Sequence, residues 1–234
     1  MPPDAAMFHA VRSRRRLLAV VGLTLLPWPA VWLGMYRLDS LWETFFLYHG
    51  VCLLPAIIWG RRLWRDAWRW PTLGQWLALL AGVVVALPLF RIGYAWIGAT
   101  VMDAHDLRAV VTERGFAARD LLPLGIYFVP VNATLEELFW RGVVLNELRG
   151  VDEAAFTFGA VWTAATFAAW HWLVLRLLLR PGWAEATVLG ILLAGVFLSW
   201  LYRRTRSIVV PILWHGLVFD LALIVVFAAV LKAA

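Results

Sequence analysis

Long apolar runs, separated by short polar or basic stretches, dominate the chain from residue 17 onward. A helix needs about 20 residues to cross the hydrocarbon core of a bilayer, and each run is close to that length. The runs occupy residues 17–36, 41–59, 73–90, 121–148, 155–179, 184–202 and 208–231. We therefore predict an all-α fold, a polytopic transmembrane helical bundle with about seven spans.

The composition supports this prediction. Of the 234 residues, 63% are hydrophobic and 15% are charged, and the mean hydropathy is +0.77. A soluble domain carries about a quarter of its residues as charge, so the apolar excess here must face lipid. The net charge of +6 and the sixteen Trp would suit nucleic-acid binding, but the basic residues cluster between apolar runs, as in membrane proteins. We predict the lipid bilayer as a partner and no nucleic acid.

The basic clusters predict an orientation. They lie at residues 12–16, 61–69 and 203–206. Basic loops of membrane proteins remain on the cytoplasmic side, and seven spans with a cytoplasmic N-terminus place all three clusters there. The first apolar run continues past the usual length of a signal-peptide core, so we expect a retained helix. The prediction is an integral, multi-pass protein of a bacterial inner (cytoplasmic) membrane.

Residues 91–120 carry four Arg and four acidic residues, a neutral balance that suits a translocated loop. We therefore divide the chain into residues 1–120, with the N-terminal transmembrane helices and this external loop, and residues 121–234, a second helical unit. The ionisable groups of the apolar runs concentrate in the second unit.

Three of these groups, Glu136, Glu137 and Arg141, lie in one apolar run. Ionisable groups inside a bilayer are costly and persist mainly where they face a protein interior or a water-filled cavity. Glu137 and Arg141 are four residues apart and can pair on one helix face. Glu136 points about 100° away and is left without a cation, which suits a general base beside water. The alternative is a buried structural network without chemistry.

Two histidines in other apolar runs, His171 and His215, strengthen the catalytic interpretation. Carboxylate and imidazole could activate water directly, or they could bind a divalent cation that does so. No HEXXH motif occurs, and we predict no metal and no cofactor. Asp220, five residues after His215, is a further acid to consider within an apolar run, whereas His49 is expected to be a partner for packing or for contacts with the lumen.

Three short motifs follow one another in the second unit. They are EExxxR at Glu136, Glu137 and Arg141, FxxxH at Phe167 and His171, and a third motif that begins at His215. This set resembles the CPBP family of intramembrane glutamic endopeptidases, which includes the CAAX prenyl proteases and the bacteriocin-processing or Abi proteins. The resemblance covers roughly residues 121–231 and implies a four-helix catalytic core there.

The resemblance also implies roles for these residues. Glu136 and His171 would activate water, His215 would assist in stabilising the oxyanion, and Arg141 would support the helix through an ion pair. The family usually places an Asn four residues after the third-motif His, but Phe219 stands there and Asp220 follows. An anionic Asp would repel an oxyanion, so Asp220 helps only if it is protonated or if it orients His215.

The implied substrate is a membrane-associated protein or peptide. Two alternatives stay open from the sequence. One is a non-catalytic membrane scaffold or immunity protein, which the Phe219 departure favours. The other is a divalent-metal-dependent membrane hydrolase that uses the same cluster of side chains.

Overall fold

The computed structural model describes residues 17–148 and 153–232, and within these ranges every regular element is helical. Six helices are long and apolar enough to cross a membrane. We label the first three α1, Leu17–Tyr36, α2, Leu41–Trp59, and α3, Leu73–Val101. The polytopic helical bundle predicted from the sequence is confirmed. The basic cluster at residues 12–16 lies outside the described residues.

The second half of the bundle holds four long helices. They are α5, residues 121–148, α6, Glu153–Leu178, α7, Trp183–Thr205, and α8, Val209–Leu231; a short helix α4, Ala104–Glu113, precedes them. Helix α5 is helical throughout but does not count among the six candidate spans, although it was predicted as one. Its run of residues is interrupted by the charged groups of the site, which are buried in protein.

Helix α3 corrects the expected boundary of the external loop. We predicted that the span would end at residue 90, but the helix continues to Val101 and α4 follows it. The Thr72 hydroxyl accepts a hydrogen bond from the Gln75 N–H, and the Gln75 side chain accepts one from the Thr72 N–H, which caps the start. No residue between 91 and 101 stops the helix, because a single Arg91 is compatible with helical structure.

The connections that carry two of the basic clusters lie together at one end of the bundle. The Ser207 hydroxyl donates to the Arg69 carbonyl at 2.5 Å, and the Ile208 N–H donates to the Ala67 carbonyl at 2.8 Å. The connection between α2 and α3 therefore lies against the connection between α7 and α8.

An ion pair joins the connection after α6 to the connection after α3. Arg180 contacts Asp103 at 3.0 Å, and its N–H donates to the Val101 carbonyl at 2.9 Å. The backbone N–H groups of Asp106 and His105 lower the pKa of Asp103, so an anion faces this arginine. The charge of Arg180 is therefore paired with that of Asp103.

The main buried core joins the two halves of the chain. Side chains of α1 and α2, such as Val31 and Leu53, pack in one cluster with Phe139 and Trp140 of α5 and Trp170 of α6. Helix α3 contacts mainly α8 and is otherwise largely exposed, as a lipid-facing helix would be. The polar site lies inside this shared core.

Candidate active site

The conformation of α5 places its acidic pair in the centre of the bundle. The helix widens to π-helical turns at Phe128–Asn132 and Leu138–Leu145, on both sides of the short α-helical stretch Ala133–Glu137. Pro130 has no N–H to donate, and such interruptions favour wider turns. The Thr134 hydroxyl donates to the Pro130 carbonyl at 2.6 Å, which satisfies an acceptor near the interruption.

Glu137 and Arg141 form the predicted ion pair. Arg141 Nη1 donates to Glu137 Oε1 at 2.7 Å, and both side chains are fully buried. Arg141 Nη2 also donates to the Gly195 carbonyl of α7 at 2.9 Å. A β-carbon on Gly195 would lie 3.0 Å from Ala164 Cβ, so the glycine permits the close approach of α6 and α7 beside the guanidinium. The pair thus connects α5 to α7.

Glu137 also orients His215. Its Oε1 lies 2.8 Å from His215 Nδ1, and a carboxylate bound to an arginine can only accept, so the proton is on Nδ1. Because that nitrogen is occupied, His215 Nε2 faces the rest of the site. It lies 3.4 Å from Glu136 Oε2 and 3.4 Å from Asp220 Oδ1. The orienting carboxylate is therefore Glu137, whereas Asp220 contacts the opposite ring nitrogen.

A π-helical turn explains how Asp220 reaches this histidine. In an α-helix each residue rotates by about 100°, so residues five apart do not share a face. Residues His215–Asp220 form a π-helix, and the Leu221 N–H donates to the Gly216 carbonyl, five residues back. The wider turn brings Asp220 to the face of His215, and the side chain of Asp220 is buried. Phe219, the position of the missing Asn, is partly buried.

Glu136 receives neutral donors in place of a guanidinium. The Tyr48 hydroxyl donates to Oε1 at 2.8 Å, and Asn132 Nδ2 donates to Oε2 at 3.3 Å. Trp140 Nε1 in turn donates to the Tyr48 hydroxyl at 3.3 Å. Only 2% of Glu136 is exposed. The carboxyl group is held in one orientation by groups that leave its charge uncompensated, apart from His215.

The His171 side chain contacts the ring of Phe167, four residues earlier on α6. Its Nδ1 donates to the Phe167 carbonyl at 2.7 Å, which leaves Nε2 without a proton. The Phe167 ring centroid lies 4.7 Å from the His171 ring and 6.0 Å from the His215 ring. Within the described residues no hydrogen bond or ion pair joins His171 to Glu136. The structure thus brings Glu136 and His215 into direct proximity, and the Phe167 ring contacts the rings of both histidines.

Three residues that contact the site were not among the predicted site residues: Tyr48, His49 and Asn132. Tyr48 and His49 lie in the π-helical stretch Phe46–Leu53 of α2 and are buried, as is Asn132 of α5. The two adjacent polar residues Tyr48 and His49 in an apolar run could have indicated this, but we expected His49 to take part in packing or lumen contacts.

A comparison with family models identifies the second half. Residues 118–219 match the family described as Type II CAAX prenyl endopeptidase Rce1-like. The resemblance to the CPBP and CAAX proteases that the motifs indicated is confirmed.

The matched Rce1-like segment includes all three motifs, from Glu136 to His215, and ends one residue before Asp220. Tyr48 and His49 lie outside it. No curated protein and no solved structure matches the chain. The family is one of endopeptidases, and the match over helices α5 to α8 therefore implies an intramembrane endopeptidase.

Proposed function

We propose that this protein is an intramembrane endopeptidase of the glutamic type, in which Glu136 acts as the general base. The observation that supports the proposal is that two neighbouring glutamates have different hydrogen-bond partners. Glu137 binds Arg141 at 2.7 Å, whereas Glu136 is buried without a guanidinium and is held by Tyr48 and Asn132. A carboxylate kept free of a permanent cation retains the capacity to take a proton from water.

The proposed reaction begins with a water molecule between Glu136 and the unprotonated Nε2 of His171. Glu136 takes one proton of the water molecule. The water oxygen then attacks the carbonyl carbon of the scissile peptide bond. Glu136 then delivers that proton to the leaving amide nitrogen as the C–N bond breaks. The products are a new carboxyl terminus and a new amine, and Glu136 returns to its initial state.

His215 is proposed to stabilise the negative charge that develops on the carbonyl oxygen. Its Nδ1–H is held by Glu137, so a protonated ring directs its second N–H from Nε2 towards Glu136 and Asp220. A positioned donor of this kind contributes about 3–4 kcal/mol to an acyl-transfer transition state. Asp220 then supports the imidazolium and does not itself contact the oxyanion.

The proposed substrate is a membrane-associated protein or peptide that presents extended backbone to the site. Helical backbone has its carbonyl groups hydrogen-bonded, so cleavage requires a segment that is unwound or lies near the end of a span. We infer a bacterial inner membrane location with the N-terminus in the cytoplasm, supported by the meeting of the basic ends of α2 and α7.

The test compares the wild-type chain with Glu136→Gln in proteoliposomes. Two probes are used: a farnesylated peptide that ends in Cys, two aliphatic residues and a variable residue, and an unmodified peptide with a hydrophobic C-terminal segment. Products are identified by mass spectrometry. We expect cleavage of at least one probe by the wild type and a loss of about a thousandfold or more in Glu136→Gln, because catalysis by a positioned base typically contributes 10²–10⁴-fold.

The matched control is Glu147→Gln, the same chemical change on the same helix but outside the site. This variant should retain wild-type cleavage. Full proteolysis by Glu136→Gln would contradict the proposed base. Equal thermal stability of the two variants would show that loss of cleavage does not come from unfolding.

A non-catalytic membrane scaffold is the second candidate, favoured by Phe219 at the position where the family usually has Asn. This candidate predicts that the wild type cleaves neither probe. It also predicts that co-purification of a membrane partner is unchanged by substitution of Glu136 and His171.

A further inference from the structure

A chain of hydrogen bonds connects His49 of α2 to the carboxyl groups of Glu136 and Asp220. The Tyr127 hydroxyl lies 2.7 Å from His49 Nδ1, and His49 Nε2 lies 2.9 Å from Asn132 Oδ1. Asn132 Nδ2 lies 3.3 Å from Glu136 Oε2 and 3.1 Å from Asp220 Oδ2. His49 and Asn132 are 3% and 4% exposed, so no bulk water competes for these contacts.

The carboxylate oxygens of Glu136 and Asp220 can only accept, and this determines which atom donates in each of these hydrogen bonds. The Asn132 amide turns its Nδ2 towards Glu136 and Asp220, because its carbonyl oxygen would be repelled by their acceptor oxygens. Asn132 Oδ1 can only accept, so His49 must carry a proton on Nε2. A neutral His49 then accepts from the Tyr127 hydroxyl at Nδ1.

Aromatic rings hold the His49 imidazole in the plane that these bonds need. The Phe45 ring stacks on it with centroids 5.6 Å apart and an interplanar angle of 10°. The Tyr48 ring centroid lies 4.9 Å away on the same helix. The ring is therefore packed on its faces and hydrogen-bonded at both nitrogens, which leaves it a single orientation.

We propose that His49 and Asn132 are positioning residues of the peptidase site, which hold Glu136 and Asp220 apart through the two N–H groups of the Asn132 amide. This inference rests on the proposed function. His49 lies outside the Rce1-like segment, so the proposal makes α2 of the first half a necessary part of the site. Neither residue needs to contact the substrate.

The positioning role follows from the contact that the Glu136 carboxylate would make if the Asn132 amide were absent. The remaining donor near its Oε2 is His215 Nε2, at 3.4 Å. Without the Asn132 amide, Glu136 would close on His215 and form an ion pair that occupies both the proposed base and the proposed oxyanion donor. The expected defect is a lower kcat with an unchanged KM, because substrate binding is not involved.

Two substitutions of His49 distinguish positioning from packing. In His49→Gln the side-chain amide nitrogen reaches the place of Nε2 and can still donate to Asn132, whereas the shorter His49→Asn can reach only the place of Nδ1. Both variants replace an aromatic ring by an amide, so a role in packing alone would affect them similarly. Positioning predicts that kcat of His49→Gln stays within about threefold of wild type and that His49→Asn loses about tenfold or more.

The experiment measures kcat and KM of the full chain in proteoliposomes with whichever of the two probe peptides the wild type cleaves, and His105→Asn serves as an exposed control. A wild-type kcat in His49→Asn, or equal losses in the two His49 variants, would overturn the positioning role. Cleavage of neither probe by the wild type would instead overturn the proposed function, and this inference with it.

A second measurement does not depend on the stability of any variant. Solid-state NMR of the histidine ring nitrogens in wild-type protein, with His49 assigned by its loss in His49→Gln, reports which nitrogen carries the proton. We expect a neutral ring protonated at Nε2. A proton on Nδ1 would reverse the direction of the chain and overturn the proposal.

Discussion

Removing the Arg141 guanidinium should destabilise the protein strongly. Arg141→Met keeps a long unbranched side chain at this position but removes its donors to Glu137 at 2.7 Å and to the Gly195 carbonyl at 2.9 Å. Glu137 would then remain as a buried acid whose second oxygen, Oε2, has no partner in the described part of the protein. Only the His215 contact at 2.8 Å would be left to compensate it.

The magnitude follows from the burial of both partners. Arg141 and Glu137 are fully buried, and breaking one side of such a pair typically costs about 3–5 kcal/mol. Most of that cost is the unpaired carboxylate, so removing it as well should restore stability. We expect the double variant Glu137→Gln, Arg141→Met to be more stable than Arg141→Met alone, with a coupling energy of about 2 kcal/mol.

The assay is reversible unfolding in bicelles of the wild type, both single variants and the double variant. Arg62→Met, on an exposed residue, is the matched control and should stay within about 0.5 kcal/mol of wild type. A loss below about 1 kcal/mol in Arg141→Met, or strict additivity in the cycle, would refute the argument that this pair holds the bundle together.

Three further predictions concern the site and its surroundings. Tyr48→Phe removes the donor to Glu136 Oε1 and should lower kcat by about tenfold to a hundredfold. The reason is that a hydrogen bond to a charged group contributes about 1.5–3 kcal/mol. An unchanged kcat would contradict this role of Tyr48. Gly216→Ala should destabilise the protein by about 1–3 kcal/mol in the same unfolding assay, because the added β-carbon would clash with the Val129 carbonyl. Gly93→Ala is the control: the added β-carbon has open space there, so this variant should not lose stability through a clash. Cleavage should survive exhaustive chelation, and its loss with recovery on adding a divalent cation would favour the metal-dependent alternative.

The sequence predicted the parts of the site that follow from spacing along one helix. Glu137 and Arg141 are four residues apart, and a spacing of four brings side chains together in any helix. The apolar runs likewise located the spans, because their lengths are set by the thickness of the bilayer. The end of α3 was missed because Arg91 was taken as the start of a loop, although a charged residue does not stop a helix.

Contacts between distant helices could not be predicted in this way. Tyr48 and His49 reach α5 because α2 packs against it, and an apolar run carries no marker of which neighbour it will have. The approach of Asp220 to His215 depends on a π-helical turn, which no simple periodicity signals. These interactions determine the surroundings of Glu136 as much as the motifs do.

The most direct test of the central claim is to follow the oxygen of the attacking water. The wild-type protein cleaves a probe peptide in heavy-oxygen water over many turnovers, and mass spectrometry then locates the label in the products and in the Glu136-containing fragment of the protein. Activation of water by Glu136 predicts label in the new carboxyl terminus and none in Glu136. Label in the Glu136 carboxyl group would show a covalent intermediate instead, and the absence of cleavage would contradict the hydrolase account altogether.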